Sequence, residues 1–84
     1  MKRKHRKTLE QIFRPPVSGN IRWENVEALF VSLGADIEQR QGSRVSITLF
    51  GEVLVFHRPH PNPDTDRGAV RSMRRFLIEA GVKP

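Results

Sequence analysis

The sequence predicts a two-layer α+β domain, and three observations carry that prediction. Two segments, one starting near residue 23 and one close to the C-terminus, place apolar residues at helical spacing. Between them, residues 36–57 hold short runs that alternate apolar and polar side chains with a period of two. The order helix, strands, helix suits a three-stranded antiparallel meander with two apolar helix stripes covering one face.

The chain opens with MKRKHRK, which contains five Lys or Arg and one His. Such a run reads as a disordered, solvated basic arm, and Lys2, Arg3 and Lys4 are its candidate contacts to a nucleic-acid backbone. TLEQIF follows, with Thr8 and Gln11 at capping-box spacing and Leu9, Ile12 and Phe13 forming a short apolar face. One or two helical turns are expected there, stopped by Pro15 and Pro16. PPVSGN is then a linker. The expected organisation is residues 1–22 as basic arm, short helix and Pro-rich linker, and residues 23–84 as the folded domain.

IRWENVEALFVSLGA is the clearest helix. Val26, Leu29, Phe30 and Leu33 fall at i, i+3, i+4 and i+7, and Gly34 suits its end. Trp23 is read as a packing anchor, with base stacking as the alternative. ADIEQR is a short edge strand whose charges discourage edge-to-edge association. RVSITLF puts Val45, Ile47 and Leu49 on one face and Arg44, Ser46, Thr48 and Phe50 on the other. Gly51-Glu52 fits a two-residue type II′ turn, and VLVF returns. HRPHPNPDTD, with Pro59, Pro61 and Pro63, is irregular, and Asp64, Thr65 and Asp66 offer N-caps for the last helix. That helix, RGAVRSMRRFLIEAG, buries Val70, Met73, Leu77 and Ala80 with Phe76 alongside, and Gly81 suits its C′ position. A short N-terminal helix followed by α-β-β-β-α, helices on one sheet face, is the order of the double-stranded-RNA-binding fold.

Charge narrows the partner. The 84 residues hold 15 Lys and Arg against 9 Asp and Glu, a net charge of +6 and a pI of about 11.1. That balance suits a polyanion, either a nucleic acid or an acidic protein. With no cysteine, disulfides, thiolate nucleophiles and Cys-type zinc sites are excluded. No apolar run reaches the length of a membrane span, and no apolar h-region follows the basic start, so a cytoplasmic protein is expected. No cofactor is expected. His57 and His60 lack a third ligand at convincing spacing, although Asp64 is near in sequence, so no metal site is assigned.

The hairpin supplies the candidate chemistry. A Gly51-Glu52 turn pairs Phe50 with Val53, sets Ser46 opposite His57 and leaves Arg44 one diagonal step away. These three then share the sheet face that the helices leave open, within reach of one phosphate. A three-residue turn would instead send His57 to the other face. Arg44 is either a fork for phosphate oxygens or a solvated partner of Glu38 or Glu52. Two imidazoles and a guanidinium crowd His57, Arg58 and His60 into four residues, beyond what a strand end needs. The last helix adds Arg67, Arg71 and Arg74 at i, i+4 and i+7 with Arg75 beside them, a cationic strip for RNA backbone or an acidic protein.

Residues 23–83 resemble the HicA toxins, small mRNA-cleaving ribonucleases of type II toxin–antitoxin systems. VEALFVSLGADI is similar to that family's first helix, which runs into a strand through a Leu-Gly pair. GSRVSITL resembles the Gly-Ser-His segment that opens its second strand, and FHRPHP with RGAVRSMRRFLIEAGV resembles its strand-end His and closing helix. In the family the catalytic His follows Gly-Ser; here Arg44 follows Gly42-Ser43. Arginine stays protonated and is no ordinary general base, but it can stabilise charge building on phosphorus. The resemblance implies an endoribonuclease; with Arg44 where the family's His stands, His57 or His60 is expected to supply the base and Arg44 to be the electrostatic group. Its RNA contacts would be Ser43, Ser46, Arg58, the arginines of the last helix and the N-terminal Lys2, Arg3 and Lys4. It also implies a HicB-like acidic antitoxin over the open face. A non-catalytic RNA-binding or antitoxin-binding module of the same fold remains the alternative.

Overall fold

The computed structural model describes residues 1–84. The elements run α1 (Arg3–Phe13), α2 (Trp23–Ser32), β1 (Asp36–Gln39), β2 (Arg44–Leu49), β3 (Glu52–His57) and α3 (Arg67–Glu79). The sheet is an antiparallel meander in the order β1-β2-β3. Residues 23–84 thus form the expected α-β-β-β-α unit, with α2 and α3 against one sheet face. Val45, Ile47 and Leu49 of β2 point into the core beside Val26, Leu29 and Phe30 of α2 and Val70, Met73, Phe76 and Leu77 of α3.

Both helices of this unit end in a Schellman motif. Gly34 has φ 89°, and the amides of Ala35 and Gly34 donate to the carbonyls of Phe30 and Val31. Gly81 repeats the arrangement, with Val82 and Gly81 donating to Leu77 and Ile78. Asp66 caps α3, its carboxylate accepting from the Ala69 amide at 3.2 Å.

The N-terminal segment departs from expectation. The basic run is helical from Arg3, so α1 has 11 residues rather than one or two turns. Thr8 lies mid-helix and donates its hydroxyl to the Lys4 carbonyl at 3.0 Å instead of capping. Lys, Arg, Gln and Leu are good helix formers, and no Gly or Pro interrupts residues 3–13. Packing on α2 and α3 supplies the rest of the stability. Leu9, Ile12 and the linker's Ile21 are all buried in the common core.

The hairpin turn is Phe50-Gly51, not Gly51-Glu52. Both central residues have positive φ, 50° and 84°, as a type I′ turn requires. Leu49 therefore pairs with Glu52, Ser46 with Val55 and Arg44 with His57. Because the loop still has two residues, the parity is unchanged and His57 stays on the open face with Arg44.

Candidate nucleic-acid interface

The open face has two ends of opposite character. Register places Asp36, Thr48 and Val53 toward the turn, Glu38, Ser46 and Val55 in the middle row, and Arg44 and His57 toward the far end. The Arg58 amide donates to the Ser43 carbonyl at 2.8 Å, continuing the ladder one step past β2 and β3. Hydrogen-bonded pairs alternate along an antiparallel ladder, so Arg44 and His57 form a non-hydrogen-bonded pair. Their Cα atoms are therefore about 4.5 Å apart and their side chains close. Both side chains are exposed, and neither forms an ion pair. Arg44 is not paired with Glu38 or Glu52, and its one internal contact is Nε to the Gln41 carbonyl at 3.4 Å.

Ser46 lies on this face but is only 2% exposed. The Arg40 Nε donates to its hydroxyl at 3.2 Å, so the guanidinium covers the serine. A ligand here meets Arg40 first. Arg40, Gln41, Arg44 and Val55 line a hollow of about 510 Å³, open to solvent and large enough for a phosphate group. His57 is two residues beyond Val55 on the same side of β3. Arg40 joins the site through the structure, beyond the residues that the sequence motifs mark. Its signal was the strand alternation carried one step past β1: Glu38 and Arg40 share a face, and the Arg40 amide donates to the Arg44 carbonyl at 2.8 Å.

The remaining cations divide into bound and free. Arg58 points to the helix side and serves as a strut. Its Nε and Nη2 donate to Glu27 Oε1 on α2 at 3.1 and 2.7 Å, and its Nη1 donates to Gln39 Oε1 on β1. The Trp23 indole donates to the same Glu27 oxygen at 2.6 Å and packs edge-on against Phe56. Trp23 is thus a buried anchor, not an exposed stacking platform. Arg74 donates to the Ile12 carbonyl at 2.9 Å and to the Arg14 carbonyl at 3.5 Å, tying α1 to α3. The Arg67 guanidinium lies against Gly19, where an added Cβ would meet its Cζ at 2.9 Å. Arg71 and Arg75 are exposed and carry no hydrogen bond or ion pair; they flank a groove between α3 and β3. Ser43 and His60 are exposed in the loops at the His57 end of the hairpin; Lys2, just before α1, and Arg3 and Lys4 in its first turn are exposed. No group of three or more His, Asp or Glu side chains converges in a metal-binding arrangement. No helix is long and apolar enough to cross a membrane.

A basic α+β domain of double-stranded-RNA-binding type, with an arginine–histidine pair on its bare sheet face, is the class that fold and site define. Residues 23–82 match the family model described as HicA toxin of bacterial toxin-antitoxin, and the chain belongs to that family. No curated protein and no solved structure matches it. The matched segment begins at Trp23, yet the preceding helix contributes Leu9 and Ile12 to the same core.

Proposed function

We propose that this chain is an endoribonuclease that cleaves mRNA without a metal ion, with the HicB-type partner of its family as its inhibitor. The observation that carries this reading is the direct pairing of Arg44 with His57 on the uncovered face, both exposed and free of intramolecular ion pairs. A phosphodiester seated by Arg40 and Arg44 places its neighbouring 2′-hydroxyl toward His57. Imidazole can accept that proton as the 2′-oxygen attacks phosphorus. The guanidinium of Arg44 stabilises the negative charge that builds on the phosphoryl oxygens. Breaking the P–O5′ bond then requires a proton for the leaving oxygen, and His60 is the second imidazole on the same chain segment. The products are a 2′,3′-cyclic phosphate and a 5′-hydroxyl end, with the proton count unchanged.

Induced expression of the wild-type chain is expected to stop growth and shorten mRNA, and His57→Ala to do neither. Growth and intact mRNA with the wild type expressed and folded would refute the toxin reading. One observation favours a second reading. Arg44 occupies the position where the family carries its catalytic His, which suits a chain that binds RNA without cutting it. In that case RNA affinity falls steeply with salt while the RNA stays intact, and Arg71→Ala lowers the salt slope by about one. Arg74→Ala, whose guanidinium is engaged with α1, lowers it less.

A further inference from the structure

The free edge of β3 is the feature that the reading above leaves unexplained. Hydrogen-bonded pairing of Ser43 with Arg58 fixes the alternation of the whole ladder. The amides and carbonyls of Phe56, Leu54 and Glu52 face β2, and those of Val53, Val55 and His57 face outward. None of these outward groups has a hydrogen-bond partner within the chain. The opposite edge, β1, is four residues long and charged, as protected edges are. By contrast, β3 has six residues, no Pro and no Lys, and exposes Val53 at 56% and Val55 at 51%. Phe50 at the adjoining turn is 69% exposed. On the helix side of the same edge runs a groove lined by Arg71 and Arg75 together with Glu52 and Glu79. Neither arginine is paired with either glutamate.

We propose that β3 accepts a fourth, extended strand from an acidic protein partner, and that this strand alternates acidic with apolar residues. A strand laid along β3 presents successive side chains to opposite faces. One set falls beside Val53 and Val55 on the open face and must be apolar. The other falls into the groove beneath α3 and meets Arg71 and Arg75, which favours carboxylates. Electrostatics disfavours a second copy of this chain in the same place, because pairing β3 with β3 would bring the Arg71 and Arg75 groups of both copies together. The added strand ends beside His57, so a partner held there restricts access to that imidazole. This inhibitory role rests on the proposed ribonuclease function; the edge pairing itself does not.

The test uses the full chain and a capped peptide of about eight residues alternating Glu and Val, the length of an edge segment. A control peptide carries the same residues in two blocks. At millimolar peptide, amide resonances of Val53, Val55 and His57 are expected to shift with the alternating peptide and not with the control. Arg71→Glu combined with Arg75→Glu weakens binding about tenfold. Val55→Pro removes an outward amide without touching the β2 ladder and abolishes it. The alternating peptide also slows RNA cleavage by the wild type. Absence of these shifts, equal shifts with the blocked control, or binding that survives both variants would overturn the proposal. A short RNA that shifts these amides when the peptide does not would assign the groove to nucleic acid instead. If the peptide binds but the protein cuts no RNA, the ribonuclease reading fails and the strand site stands.

Discussion

Replacing Glu27 with Ala removes the acceptor of three hydrogen bonds at once. Glu27 Oε1 takes the Trp23 indole at 2.6 Å and two donors of Arg58 at 3.1 and 2.7 Å. The ion pair is half-buried, with side-chain exposures of 28% for Glu27 and 39% for Arg58. Solvent screening at that exposure holds its contribution to about 1 kcal/mol. An indole N–H left without an acceptor beside Phe56 adds about 1–2 kcal/mol. The expected loss for Glu27→Ala is therefore about 2–3 kcal/mol, or a melting temperature lower by about 10–20 °C in a domain of this size. Glu27→Gln keeps an oxygen for Trp23 and loses only the charge, so it should lose about 1 kcal/mol. Urea unfolding followed by fluorescence measures both, because Trp23 is the only tryptophan. A Glu27→Ala protein within about 0.5 kcal/mol of the wild type would refute the strut.

Two further outcomes follow from the core and the turn. Ile12→Ala should destabilise the whole domain by about 2–5 kcal/mol in the same assay, because Ile12 is fully buried where α1 meets the core. A change confined to local fraying of α1, with the global midpoint unmoved, would show that the N-terminal helix is an appendage. Phe50→Asn should raise stability by about 1 kcal/mol, since Phe50 is held at φ 50° with its ring exposed and Asn tolerates that conformation. Loss of stability in that variant would mean that the ring contributes packing that its exposure does not reveal.

Helical and strand periodicity made most of the architecture legible. The stripes of α2 and α3 and the inward face of β2 required only spacing, and spacing is local. The turn lies one residue before the position that the sequence suggests, because Phe rarely adopts positive φ and Gly51 therefore reads as the first turn residue rather than the second. The face of His57 is unaffected by that shift because a two-residue loop preserves parity wherever it sits. The N-terminal basic run was legible as charge but not as helix, since what orders it is Leu9 and Ile12 meeting helices far along the chain. Arg58 and Arg74 read as free cations for the same reason. Their partners, Glu27 and the Ile12 carbonyl, lie 31 and 62 residues away. Arg40 closes the ADIEQR segment, but its role rests on covering Ser46, a tertiary contact that spacing does not show. Ser46 was placed on the correct face, but its cover by Arg40 is a tertiary contact.

The central claim is that His57, set against Arg44, handles the proton in RNA cleavage. Single-turnover cleavage of a short RNA by purified protein in chelator tests it most directly, with wild type, His57→Ala and His60→Ala compared at saturating protein. The account predicts cleavage by the wild type to a 2′,3′-cyclic phosphate, slowed about 100-fold or more in His57→Ala with RNA affinity retained. Unchanged cleavage by a folded His57→Ala, or cleavage by the wild type that disappears with the chelator, would contradict it.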